Sequence, residues 1–346
     1  MPPRAQASYT TGVIAVAATL WLMVQARSVL EPLVIALLIW FVLNALARFY
    51  AWRLHGNGIR PSLAIRTASA VTLMLVMTGI VIMTSNKAAQ IQSNLPIYEE
   101  NLRAMIASAE NALGIPGGFG LDAVFERIDF GDLALALAGS TAGFIGASII
   151  ILVYVAFIFL EAGVFRNKLA AIAPDGERFD EVSATVDRIQ HEIETYLGVK
   201  CVIGVAQALP TWLVLYVAGI DGAGFWAVLI FFFSFVPTVG TLFGIAFPAL
   251  MTLVQFGDPL VFVVVTGLLV AIQLAGTNVL EPRLMGSSLN LSPLVILIAI
   301  FAGGSIWGIT GALVAVPALS VAVIVFNRFE SMRPVAILLS SDGQIR

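Results

Sequence analysis

At 346 residues, 59% hydrophobic and 11% charged, this chain carries too little charge for a soluble domain, where about a quarter of residues are charged. Its net charge of −3 offers no basic surface to a nucleic acid, and a single cysteine, Cys201, excludes an internal disulfide or a cysteine-based metal cluster. With a mean hydropathy of +0.97, the composition is that of an all-α polytopic integral membrane protein whose first partner is the lipid bilayer.

Apolar runs predict spans at 11–26, 28–47, 63–85 and 139–161, then 199–218, 225–256 (interrupted), 260–280 and 306–326. Residues 1–26 lack a clear small-residue cleavage site, so the first run is expected to stay as a helix, making a tight hairpin with the second between Arg27 and Pro32. Residues 1–85 thus hold the first three spans, and 327–346 form a tail. Placing Arg4, Lys200 and the basic clusters around 48–66, 166–188 and 328–346 inside leaves only Arg27, Lys87, Arg103, Arg127 and Arg283 outside. Thirteen of the 18 basic residues then lie inside, which predicts eight spans in the inner membrane with both termini cytoplasmic.

Residues 86–138 form the sizeable external segment. Ile91, Leu95, Tyr98, Leu102, Met105 and Ala109 follow helical spacing there, so an amphipathic cap is expected. At the fourth span Gly139 and Gly143 permit close helix packing. Residues 162–198 are a cytoplasmic segment in which Phe179, Val182, Val186, Ile189 and Ile193 make an a/d stripe, suited to packing on another helix, of the same or a neighbouring subunit. Glu31 and Glu161, at span ends, read as interfacial anchors; Asp221 and Asp258 read as turn residues.

Region 199–326 carries the transport-like pattern. The apolar run Leu291–Phe326 would be about 54 Å long as one helix, against about 30 Å for a bilayer core, so it must break. The expected break runs through Gly303, Gly304, Gly308 and Gly311, mirroring one at Pro237 and Gly240. Both longer pieces that follow carry the phrase Pro-Ala-Leu, at Pro248 and at Pro317. Paired interruptions of this kind point to a transporter's binding region, because freed backbone groups can hold polar atoms. Gln273, Asn278, Glu281, Arg283 and Thr310 add side-chain donors and acceptors. Pro282 is expected to hold an extended backbone between the two charges, with Gly286 close behind. Two isolated histidines supply neither a metal site nor a metalloprotease motif, and no phosphate-binding G-x-x-x-x-G-K-[ST] occurs, so no enzyme, cofactor or ATPase is expected.

The phrases V-P-T-V-G at 236–240, L-E-P-R-L-M-G at 280–286, L-S-P-L-V-I-L at 291–297 and W-G-I-T-G-A-L-V-A-V-P at 307–317 closely resemble the autoinducer-2 exporter (AI-2E) family of permeases. The resemblance covers essentially the whole chain. It implies an eight-span permease that exports a small polar solute, with the quorum-sensing molecule autoinducer-2 as one candidate. The alternative it carries is a sodium(lithium)/proton antiporter, with a monovalent cation and a proton as cargo; an oligomeric channel is a third reading. It also implies a homo-oligomer, with a pentamer as the candidate number. The family offers no settled catalytic residue.

Overall fold

The computed structural model describes residues 17–56, 62–75, 141–172, 176–285 and 290–343, with residues 14, 78, 79, 94, 97, 98, 100, 101, 103, 104 and 107. Among these, every regular element is helical: α1 (Arg27–His55), α2 (Leu63–Leu75), α3 (Thr141–Ile172), α4 (Gly176–Val217), α5 (Ala223–Phe233), α6 (Val239–Phe256), α7 (Pro259–Ala275), a π-helical turn (Gly276–Leu280), α8 (Glu281–Met285), α9 (Pro293–Trp307), α10 (Ile309–Arg328) and α11 (Arg333–Leu339). Among the described residues six helices are long and apolar enough to cross a membrane, and the chain is an all-α polytopic membrane protein. Gly139 and most of the external segment lie outside the described residues.

Two compact units interleave along the chain. One comprises Met1–Ala45, Gly146–Leu197 and Ser288–Arg346; the other comprises Leu46–Ile145 and Gly198–Ser287. They cut across the segments drawn from the sequence. The cytoplasmic amphipathic stretch and the fifth span, for example, are one helix, α4, of 42 residues. Along its stripe Ile193 is buried, Phe179, Val186 and Ile189 are half-buried, and Val182 is exposed. The interruption after the first run falls at Ala26, and Pro32 lies inside α1, so the tight turn expected between Arg27 and Pro32 is absent.

Exposed apolar surface is the rule here and has a physical reason. In the Ser148–Phe165 window of α3 only Val155 is buried, and Leu160 is 72% exposed. Lipid tails are as apolar as these side chains, so the helix gains nothing by hiding them; helices associate through close packing and polar contacts instead. The second unit has an internal core of Tyr98, Leu215, Ile220, Ala223, Met251, Val265 and Leu269.

That core frames the first of two helical hairpins. α5 has 11 residues and spans only about 17 Å, too short to cross. The chain then turns through residues 234–238, and α6 doubles back. Gln255, near the end of α6, accepts a hydrogen bond from the Asp221 N–H (2.7 Å) and donates to the Gly219 carbonyl (2.8 Å), so both ends of the hairpin meet at one level. The expected break at Pro237 is therefore a reversal of direction. Gly240 is helical and serves close approach: a Cβ there would stand 1.7 Å from the Phe233 carbonyl oxygen. At the far end Gly257 adopts φ 62°, Asp258 caps α7 through the Leu260 N–H (2.8 Å), and Pro259 fills the first helical position.

The second hairpin, in the other unit, is α9 and α10. Its turn is a single residue, Gly308, at φ 62° and ψ −138°, a conformation open to glycine alone. The expected break across Gly303–Gly311 narrows to that one position. Gly303 and Gly304 stay helical in α9 and Gly311 in α10, and the missing side chains of Gly303 and Gly311 let the arms touch: a Cβ on Gly311 would lie 1.9 Å from the Gly303 carbonyl oxygen. Pro317 likewise does not break α10 but sits buried inside it. The chain after α10 returns to the start of α9, where the Ser292 N–H donates to the Leu339 carbonyl of α11 (2.9 Å).

Candidate functional site

The first hairpin's tip overhangs a cavity of about 590 Å³ lined by Lys200, Gln207, Phe233, Ser234, Val236, Pro237, Thr238, Thr241, Leu242, Ile245, Thr277 and Glu281. α4 delivers Lys200 and Gln207, the hairpin delivers residues 233–245, and the π turn with α8 delivers Thr277 and Glu281.

Its electrostatic centre is an ion pair. Lys200 Nζ donates to Glu281 Oε1 at 2.6 Å, with the lysine side chain 1% exposed and the glutamate 24%. Withdrawing two charges from water is expensive, and the attraction between them repays it only with good geometry. Such a pair is poorly explained by stability alone; charged groups at membrane depth face one another or a polar cavity and mark functional paths. Around it stand hydroxyls and an amide: Thr241 and Thr277 hydroxyls lie 3.4 Å apart, and Gln207 Nε2 reaches toward the Gln273 carbonyl at 3.4 Å. The lining pairs one positive with one negative charge; its other residues divide evenly between neutral hydrogen-bonding groups (Gln207, Ser234, Thr238, Thr241, Thr277) and apolar ones (Phe233, Val236, Pro237, Leu242, Ile245).

Two backbone irregularities shape this wall. Thr238 has φ 65° and ψ −58°, alone among the described non-glycine residues in having a positive φ. With the Val239 N–H bonded to the Pro237 carbonyl at 2.7 Å, residues 237–239 form a γ-turn of the rare, strained kind. A β-branched residue held there costs about 1–3 kcal/mol, and strain of this sort gathers at clamps and switches. The second irregularity is the π turn. Pro282 has no N–H for the Asn278 carbonyl and its ring would press on that group in an α-helix. Widening to a π turn, with the Glu281 N–H on the Gly276 carbonyl, absorbs the misfit. Pro282 is thus helical, not extended as expected, and this widening is what sets Glu281 on the cavity wall.

Of the residues singled out in the sequence, Glu281 and Pro237 line the cavity. Gln273 is 2% exposed and contributes its carbonyl to Gln207, while Asn278 and Arg283 are exposed and outside the lining. Gly286 lies outside the described residues. Thr310 belongs to the other unit, where its hydroxyl donates to Glu31. Lys200, Gln207, Ser234, Thr238, Thr241 and Thr277 are site residues that the sequence reasoning misses. The available signals are a lysine heading an apolar run and the equal offset of Thr241 and Thr310, seven residues before Pro248 and Pro317. The Lys200–Glu281 contact also contradicts placing Lys200 and Arg283 on opposite sides: Arg283 is two residues from Lys200's partner, and 225–256 doubles back.

Interrupted helices around a polar cavity with a buried ion pair are features of membrane transport proteins. The chain belongs to the AI-2E transporter family: the profile described as "AI-2E family transporter" matches residues 12–331. Similar curated proteins include "AI-2 transport protein TqsA" of Escherichia coli K12, 25% identical over 323 residues, which cover 91% of this chain and 90% of that one. A "Putative transport protein" of Borreliella burgdorferi is 26% identical over 255 residues, 73% of this chain and 69% of its own. "Putative transport protein YhhT" of E. coli K12 is 25% identical over 318 residues, 91% and 88% respectively.

Proposed function

We propose that this transporter exports a small, neutral, polar solute rich in hydroxyl groups, which binds in the cavity beneath the first hairpin. The observation that carries the reading is the lining itself: a self-neutralised Lys200–Glu281 pair ringed by Thr238, Thr241, Thr277, Ser234 and Gln207. Hydroxyls of a solute can both donate to Glu281 and accept from Lys200, and the apolar wall of Phe233, Val236 and Ile245 takes its carbon skeleton. The relative TqsA is named for AI-2 transport, and autoinducer-2 has the right chemistry for this lining. The competing reading, sodium(lithium)/proton exchange, needs a carboxylate free to load and release protons; Glu281 is instead tied to an ammonium group at 2.6 Å.

The proposed setting is the inner membrane with both termini in the cytoplasm. If each hairpin enters and leaves on one side, Arg283 joins the inside group and fourteen of the 18 basic residues lie there, one more than with two single crossings. The half-exposed α4 stripe and the outward α3 suit a homo-oligomer. The test is efflux of labelled autoinducer-2 from proteoliposomes, with and without a pH gradient. Efflux reduced about tenfold or more in Glu281→Gln and Lys200→Met is expected. Sodium-driven proton flux without autoinducer-2 efflux would establish the exchanger instead.

A further inference from the structure

The second hairpin carries polar contacts that transport through the cavity does not use. At its tip Thr310 Oγ1 donates to Glu31 Oε1 at 2.8 Å, and Arg27 Nε donates to Glu31 Oε2 at 2.9 Å. One residue before the turn, Trp307 is 7% exposed and its indole N–H donates to the Met23 carbonyl at 2.9 Å. The turn itself faces the same group: a Cβ on Gly308 would stand 3.6 Å from Arg27 Nη2. Both glutamate oxygens are therefore engaged, one by the guanidinium that fixes its position, the other by the hairpin. Glu31 is no passive interfacial anchor, as its place at a span end suggests.

The register makes the arrangement informative. Counting back from each Pro-Ala-Leu phrase, Thr310 in the second hairpin falls where Thr241 falls in the first. Thr241 faces the open cavity and its Lys–Glu pair; Thr310 is closed onto an Arg–Glu pair. The same hydroxyl, one turn beyond the same kind of reversal, is thus loosely paired with another hydroxyl (Thr277, 3.4 Å) on a cavity wall in one hairpin and bound tightly to a carboxylate (2.8 Å) in the other. A hydroxyl-to-carboxylate bond is stronger than a neutral one yet exchangeable with water or a solute hydroxyl, which suits a reversible closure.

We propose that the second hairpin is a gate and that Glu31 and Thr310 are its latch, Arg27 and Trp307 positioning the two halves. This rests on the transporter reading, and release of the latch changes the rate of passage, not the affinity of the cavity. The test uses the full chain with Cys201→Ser and Ser305→Cys, a nitroxide attached to the introduced thiol, reconstituted in vesicles. Ser305 is exposed in the last turn of α9. Glu31→Gln and Thr310→Val are expected to raise label mobility several-fold and to change maximal autoinducer-2 efflux about tenfold, with half-saturation unchanged. Thr310→Ser keeps the hydroxyl and retains the parent spectrum. A second label at Leu250, exposed on the first hairpin and outside the cavity lining, reports general loosening. Unchanged mobility at position 305 in both variants overturns the gate, and so does an equal rise at positions 250 and 305. Parent vesicles that move no solute while the label at position 305 still responds would reject the transporter reading alone.

Discussion

The two hairpins solve one problem by opposite means. Each must reverse the chain inside apolar surroundings without leaving backbone groups unsatisfied. The second does so at Gly308, where no side chain objects, and its tip is held by Thr310 and Trp307. The first does so at Thr238, a residue poorly suited to its φ of 65°, and leaves its hydroxyls facing a cavity. The relaxed turn goes with polar groups tied to Glu31 and Met23, and the strained turn with hydroxyls on a cavity wall. That contrast, more than the likeness of the two hairpins, is the ground on which the first is proposed as the binding element.

The comparison breaks most severely if the arms are pushed apart. Gly240→Ala and Gly311→Ala each place a methyl within 2 Å of a backbone oxygen, which cannot yield as a side chain can. Both are expected to lose several kcal/mol, on the order of 3 or more, and to give little folded protein by size-exclusion chromatography. Next comes the ion pair on the first hairpin's side. Glu281→Gln leaves a fully buried ammonium unpaired and is expected to cost about 3–5 kcal/mol in thermal or denaturant unfolding. Lys200→Met costs less, because Glu281 retains contact with solvent, and the double variant Lys200→Met/Glu281→Leu recovers most of the loss.

Sharper still are paired substitutions at the turns, which should have opposite signs. Thr238→Gly relieves strain and is expected to raise stability by about 1–2 kcal/mol, whereas Gly308→Ala introduces strain and lowers it by a similar amount. Equal signs in a melting experiment would dissolve the contrast. The smallest effect concerns the first hairpin's open end, where Tyr98 and Asn94 bind Asp221 at 2.7 and 2.8 Å. Burial, then the neighbouring Asp221 carboxylate, push the Tyr98 phenol up to about 12. The neutral phenol is what the folded state prefers, so its contribution is complete below pH 10 and fades as pH rises from 10 to 12. Ultraviolet absorbance of the phenolate should show one late-titrating tyrosine that Tyr98→Phe removes.

Much of this is legible from residue order alone, in a graded way. Pro237 reads as an interruption because a ring without an N–H cannot continue a helix from a half-length start. The second reversal is located only to a window, since glycine serves both turning and close contact; Gly308 turns while Gly303 and Gly311 touch. Glu281 stands out as a carboxylate among apolar residues. Its partner does not: Lys200 lies 81 positions away and looks like an ordinary flanking charge until the first hairpin is known to double back. Arg283 and Asn278 mislead for the complementary reason. The π turn forced by Pro282 rotates Glu281 onto the cavity wall and leaves the neighbours facing out.

The Thr238 γ-turn behaves as a wound catch. Whatever unwinds residues 237–239, an entering molecule or a shift of α6, starts downhill by the roughly 1–3 kcal/mol held in that peptide. A population ratio moves about tenfold for each 1.4 kcal/mol, so a weakly held passenger can still trip the tip.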